Sequence, residues 1–227
     1  SRQRTTAIVL AAGHGKRLMP ITQWIPKPLV PVNGRPILLT NLQHLSEAGF
    51  ERVVVVYGRP TALIPDFLEG MDFGDLQVLY GFQTEQRGTG DALLTGMNLV
   101  RDSDEYLLMA GDTMYSPEHI RALLERFDRG DVDGCLLLKE LPFERLRYSS
   151  VVVQRPDGMI EAMVSKPSPG ELRLLRSTRV DASLQLYRGA VADFLRSAEL
   201  SRNNELEVTT ALRNWIAAGA RIAGVLG

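Results

Sequence analysis

The stretch IVLAAGHGKRLMPITQWIPKPLVPVNGRP, Ile8 to Pro36, decides how this chain is read. It begins as an apolar run, breaks into Ala11, Ala12 and Gly13, and then carries Lys16, Arg17 and Lys27 among prolines at 20, 26, 28, 31 and 36. An apolar run that ends in small residues is a buried strand whose end lies open to a ligand, because short side chains leave the backbone accessible. Gly13 and Gly15 can turn successive N–H groups toward an anion, and the cations stand close by. The prolines fix φ and stiffen the loop that presents Lys27.

Two common phosphate loops do not fit these residues. A dinucleotide fingerprint needs Gly or Ala at position 18, where Leu18 stands, which disfavours a dinucleotide-dependent oxidoreductase. A P-loop needs four residues between its glycines, and GHGKRL has one. Taken alone, GHGKR favours a solvated basic surface loop over a phosphate site.

Working outward, TAIVLAA, RVVVVYG, LQVLYG and EYLLMAG read as buried strands. Helical patterns lie between them. One follows Pro36, with Ile37, Leu38, Leu42 and Leu45 on one face and Gly49 beyond its end. A second is GTGDALLTGMNLV. A third is SPEHIRALLERFDRG, with Ser116 as N-cap and Pro117 at the first helical position. Alternating strands and helices argue for a parallel sheet covered on both faces. The second half changes rhythm. CLLLKEL, SSVVVQR and GMIEAMV follow in quick succession, the last two joined by the turn RPDG, which predicts an antiparallel insertion or a change of sheet direction. DASLQLYR is a further strand, and VTTALRNWIAAG a helix with Leu212, Trp215 and Ile216 inward.

Bulk properties narrow the class. The 227 residues carry a net charge of −1, which speaks against a broad nucleic-acid or membrane-surface footprint. The single cysteine, Cys135, excludes an internal disulfide and fits a reducing, cytoplasmic setting; within GCLLL it reads as a core residue. No apolar run approaches the length of a membrane span. His14, His44 and His119 show neither triad nor zinc spacing.

The opening stretch as a whole resembles the signature of sugar-1-phosphate nucleotidyltransferases, L-A-[AG]-G-x-G-x-R-[LM]-x-P-x-T-x-x-x-P-K-P-L, of the glucose-1-phosphate uridylyl- or thymidylyltransferase and N-acetylglucosamine-1-phosphate uridyltransferase kind. Position 16, commonly Thr or Glu in the family, is Lys here. The resemblance implies a three-layer α/β/α Rossmann-like nucleotide-diphospho-sugar transferase fold with a mixed, mostly parallel sheet. It implies transfer of a nucleotidyl group from a nucleoside triphosphate to a sugar 1-phosphate, with release of pyrophosphate. Leu10, Ala11, Ala12, Gly13 and Gly15 are then nucleotide-binding, and Arg17 and Lys27 catalytic, Arg17 on the triphosphate and departing pyrophosphate. QTEQRGTGDAL is similar to the family's base-recognition segment, which implies that Gln83 reads the base while Gly88 and Thr89 close over it. That segment is closer to members using UTP or dTTP. LLMAGDTMYS is similar to the strand that ends in Gly-Asp, which implies that Asp112 ligates Mg2+.

The sugar side departs from the family pattern. Lys166 is retained for the sugar phosphate, but Ser165 stands for a Glu, Asp181 for an Asn, and Ser183 and Ser149 for glycines. These positions imply an altered sugar pocket at Ser149, Ser165, Lys166 and Asp181. The family's next motif, W-x-D-x-G with a second metal-binding Asp, would fall beyond Gly227, so either the chain is truncated at its C-terminus, which is the expectation, or the metal site lacks that ligand. The expected organisation is one catalytic domain over 1–227, with a nucleotide-binding half at about 1–115 and a sugar-binding half at about 116–227. Its partners are the triphosphate and the sugar 1-phosphate, with no nucleic acid and no membrane; homo-oligomerisation stays open. The alternative is a non-catalytic regulatory domain on the same fold that binds a nucleotide or nucleotide sugar.

Overall fold

The computed structural model describes residues 4–13 and 25–227. Its frame is one sheet in which seven strands form a continuous path: β11(Ile222–Leu226), β7(Gly134–Glu140), β10(Arg179–Arg188), β6(Glu105–Ala110), β1(Thr5–Leu10), β4(Arg52–Gly58) and β5(Gln77–Gln83). β1 runs parallel to β4 and β6, β4 to β5, and β11 to β7. β10 is antiparallel to both β6 and β7. One reversed strand therefore sits among six that point the same way, and the start of β10 lies at the edge where its neighbours end.

The strands separate their side chains by alternation. Ala7, Val9, Val53, Val55, Leu107 and Met109 enter one cluster, while Ile8, Val54, Val56 and Leu108 enter the other. The first face is covered by α1(Ile37–Glu47), α2(Ile64–Leu68) and α4(Pro117–Phe127), through Leu38, Leu42, Leu45, Ile64, Ile120 and Leu123. The second is covered by α3(Thr89–Leu99), α7(Val191–Ser197) and α8(Val208–Ala217), through Leu93, Met97, Val191, Leu195, Leu212 and Trp215. Burial on both faces is why these strands read as unbroken apolar runs. Each fully buried Leu, Ile or Val is worth roughly 1.5–3 kcal/mol.

The quick succession of strands in the second half has two outcomes. β7 joins the parallel set. β8(Ser150–Gln154) and β9(Ile160–Ser165) form an antiparallel hairpin attached through Val151 to Val180 of β10. Its turn closes with the Met159 N–H donating to Asp157 Oδ1 at 3.0 Å. With α5(Phe143–Leu146) and α6(Pro169–Leu175) the hairpin makes a small third cluster of Leu146, Val151, Leu172 and Val180. A two-stranded ribbon, β2(Pro31–Val32) and β3(Arg35–Pro36), follows the proline-rich loop.

One expectation needs adjustment. LQVLYG reads as a buried strand, but β5 lies at the sheet edge, and Tyr80 and Phe82 are exposed on its outer side against Tyr57. An edge strand has half its surroundings missing, which local sequence does not encode. Cys135 is buried in β7, and burial pushes its thiol up to about 12, as suits a core residue. Among the described residues no helix is long and apolar enough to cross a membrane.

Candidate active site

A cleft of about 600 Å3 opens at the edge where β1, β6 and β7 end and β10 begins. Its floor is made possible by small residues. Ala11 continues past β1 by donating its N–H to Val56 O at 2.8 Å, and the Gly111 N–H donates to Leu10 O at 2.8 Å. A Cβ at Gly111 would lie 2.7 Å from Leu10 O, so no larger residue allows this approach. Leu10, Ala11, Ala12 and Gly13 line the cleft beside Ala110.

Lys27 and Asp112 meet across this floor. Lys27 begins a single 3-10 turn, Lys27–Leu29, pinned by the burial of Pro28 and Leu29. Its Nζ lies 2.6 Å from Asp112 Oδ2, and the two side chains are 26% and 43% exposed, so both remain reachable from the cleft. The loop carrying Asp112 is held from two sides. Asn41 of α1, fully buried, donates to Thr113 O at 2.8 Å and accepts from the Tyr115 N–H at 3.2 Å. The Tyr115 hydroxyl donates toward Ala182 O and Ser183 O, 2.8 and 2.9 Å away, which ties the loop to β10. Burial raises the Tyr115 pKa far above the ordinary phenol range, so this hydroxyl stays a donor.

The second wall is the start of α3. Gly88 has φ of +98°, a conformation side chains rarely adopt, and a Cβ there would lie 2.4 Å from Leu206 O. The Gly90 N–H donates to Leu206 O at 2.8 Å, the Leu206 N–H to Arg87 O at 2.7 Å, and the Val208 N–H to Thr89 Oγ1 at 3.3 Å. Segment 205–209, far away in sequence, thus braces the turn that opens α3. Gln83, at the end of β5 and 5% exposed, lines the cleft with Gly88 and Thr89. Gln86 reaches across to bond Ala12 O.

The third wall is β7, β8 and β10. Lys139, Ser149, Ser150, Asp181, Ser183 and Gln185 line it. The β10–β7 register shifts between Asp181 and Gln185, and Ser183 takes φ of +59° in that bulge. Asp181 accepts from the Ser183 N–H at 2.9 Å and from Gln185 Nε2. Burial pushes its carboxyl up to about 6, against the lowering effect of those hydrogen bonds and of Lys139.

Most residues selected from sequence therefore converge on one cleft: Leu10 to Gly13, Lys27, Gln83, Gly88, Thr89, Asp112, Ser149 and Asp181. Ser165 and Lys166 are not among its lining residues. Lys166 is exposed with φ of +46°, and its N–H donates to Ser149 O at 2.9 Å. Gly15, Arg17 and His14 lie outside the described residues. His44 and His119 serve structure: His44 Nδ1 is 2.8 Å from Tyr115 O, and the His119 N–H donates to the Ser116 cap. Sequence reading missed Asn41, Tyr115, Gln86, Asp91, Lys139 and Glu205. Asn41 carried a signal, a polar residue on the inward face shared by Leu38, Leu42 and Leu45, and Gln86, Asp91 and Tyr115 lie within the quoted segments QTEQRGTGDAL and LLMAGDTMYS.

A family model described as nucleotidyl transferase matches residues 6–226. The chain belongs to the nucleotidyl transferase family. It is 27% identical over 219 residues to the UTP–glucose-1-phosphate uridylyltransferase AglF of Haloferax volcanii, covering 96% of this chain and 86% of AglF. It is 28% identical over 213 residues to the bifunctional protein GlmU of Methanococcus maripaludis, covering 94% of this chain and 47% of that protein. The chain thus spans about half the length of GlmU. Among solved structures, a UDP-glucose pyrophosphorylase complexed with UDP-glucose superposes with a TM-score of 0.85 at 22% identity, over 98% of this chain and 90% of the other. A putative glucose-1-phosphate thymidylyltransferase from Bacillus anthracis gives 0.83 at 23% identity, over 98% and 87%. At these identities the structures establish the nucleotide-diphospho-sugar transferase fold, and the mixed, mostly parallel sheet matches the expectation.

Nucleotidyl transferases of this kind use a divalent metal. Among the described residues no group of three or more His, Cys, Asp or Glu gathers into a protein-only cage. A hard cation that keeps its waters and takes phosphate oxygens needs only one or two protein carboxylates. Asp112, 43% exposed at the cleft floor, fits that requirement.

Proposed function

We propose that this nucleotidyl transferase joins a nucleoside triphosphate, UTP or dTTP by preference, to a sugar 1-phosphate and releases pyrophosphate. The observation that carries the reading is the Lys27–Asp112 pair, 2.6 Å apart, between a small-residue floor and two polar walls of one cleft. Leu10 to Gly13, Gln83, Gly88 and Thr89 form the nucleotide side. Lys139, Ser149, Asp181 and Ser183 form the sugar side, with Lys166 and Ser165 near its rim.

The nucleophile is a phosphate oxygen of the sugar 1-phosphate, already an anion near neutral pH. It attacks the α-phosphorus, a new P–O bond forms, and the α–β bridging oxygen leaves with the bonding pair as pyrophosphate. No general base is required, so the chemistry rests on positioning and on offsetting charge between two anions. Lys27 supplies a fixed cation at the floor, Arg17 is assigned to the departing pyrophosphate, and Lys139 stands on the opposite wall. Asp112 orients the Lys27 ammonium and would hold the divalent ion, proposed as Mg2+, which supplies neutralisation of phosphate charge. The small floor residues let the phosphates lie close against the backbone.

The test is pyrophosphate release over a panel of triphosphates and sugar 1-phosphates. The native chain is expected to turn over best with UTP or dTTP. Lys27→Ala and Asp112→Ala are each expected to lower turnover by roughly 10²–10³-fold, as for loss of one preorganised charge-stabilising group. Nucleotide binding without turnover on any pair would instead favour a regulatory role.

A further inference from the structure

Gln83 stands at the nucleotide wall with its side-chain amide already engaged. Nε2 donates to Asp91 Oδ2 at 2.8 Å and to Gly88 O at 3.3 Å. A carboxylate and a carbonyl are acceptors only, so the amide has one permitted orientation: its NH2 faces the helix start, and both hydrogens are taken. The single atom the amide can offer to the cleft is Oε1. Gln83 is 5% exposed at the end of β5, so its aliphatic stem has no room to swing away. Asp91 is in the first turn of α3, a position favourable for an anion.

We infer that Asp91 is a positioning residue for base selection, locking Gln83 so that Oε1 meets the base edge as an acceptor. The inference rests on the proposed function and specifies how that site chooses its triphosphate. Uracil and thymine carry an N3–H donor between two carbonyls and complement an acceptor. Cytosine has an unprotonated N3 at the same place, and adenine an unprotonated N1; each would set a lone pair against Oε1. A site built around one hydrogen bond rejects a ligand lacking the matching group, because the buried partner is then left unpaired. Without the lock, Gln83 could turn its NH2 outward and accept cytosine as readily, which is what a free amide does. The Gly88 carbonyl alone is a weaker lock, being the longer of the two contacts.

The experiment is calorimetric binding of UTP and of CTP, with Mg2+ and without sugar phosphate, to the native chain, Asp91→Asn, Asp91→Ala and Asp91→Glu. Pyrophosphate release with the two triphosphates is measured beside it. UTP and CTP share ring size and phosphates, so their ratio isolates the base edge. Asp91→Asn can donate to Gln83 Oε1 and invert the amide; it is expected to lower the UTP:CTP affinity ratio by about tenfold or more, the worth of roughly one hydrogen bond. Asp91→Glu, which keeps a carboxylate, is expected to retain most of the preference. Asp91→Ala gives a second reading should the Asn variant fold poorly, with a smaller fall. A ratio unchanged in Asn and Ala variants of a chain that turns over UTP overturns this inference and leaves the proposed function standing. A native chain that does not distinguish UTP from CTP overturns it likewise. A native chain that binds neither triphosphate overturns both readings together.

Discussion

Asp181 shows how one side chain can carry a cost inside a site. Its carboxyl accepts from the Ser183 N–H and from Gln185 Nε2, yet burial outweighs these bonds and lifts its pKa from an ordinary 3.8 to about 6. The sign follows directly. Between those two pH values the folded chain binds a proton here that the unfolded chain has lost, so stability falls as pH rises through the window and then levels off. Gln185 Oε1, buried and without a partner among the described residues, adds to the polar burden. Asp181→Asn keeps the shape and removes the charge. Its melting temperature relative to the native chain is expected to rise between pH 4 and pH 7, read by thermal denaturation at several pH values. A constant difference across that range would show that the carboxyl titrates as an exposed one.

At the scale of elements, the decisive join is between α3 and segment 205–209. Three backbone or hydroxyl hydrogen bonds link that segment to α3 and the turn that opens it, and Gly88 lies so close to Leu206 that a methyl group cannot enter. Gly88→Ala combines strain at positive φ with overpacking, each typically costing 1–3 kcal/mol. The variant is expected to lose about 2 kcal/mol or more in urea denaturation and to show a raised KM for the triphosphate. Native-like values for both would mean the turn moves freely. Helix α4 illustrates the opposite case, an element written locally: the Ser116 cap, Pro117 at the first position and the inward row Ile120, Leu123, Leu124 and Phe127 all agree.

At the scale of the whole molecule, the sheet passes uninterrupted through the regions assigned to nucleotide and to sugar, and both clusters that cover it draw on strands from each. We therefore expect a single cooperative unfolding transition by heat, with or without a chelator. The same chelator is expected to stop pyrophosphate release, since Asp112 would hold the ion with substrate oxygens rather than in a cage that supports the fold. Two transitions, or a large fall in melting temperature on chelation, would contradict this.

Strands, helices and the residues that form the α3 wall of the cleft are legible in the sequence because they depend on local chemistry. Apolar runs, capping residues and the small floor residues Ala11, Ala12 and Gly13 act within a few positions of one another. The proline-flanked Lys27 and the strand-end Asp112 belong to the same class, since each is set by the element that carries it. What only the tertiary structure decided are the meetings. Lys27 and Asp112 are 85 positions apart, and Gly88 and Leu206 are far apart too; β5 is an edge only because no strand among the described residues pairs with its outer side. The lock of Asp91 on Gln83 spans eight positions, yet it exists only because a strand end and a helix start are folded face to face. Local sequence determines which chemical groups a segment can offer. Which groups then face each other depends on how all the segments share one sheet, and that is a property of the packed chain alone.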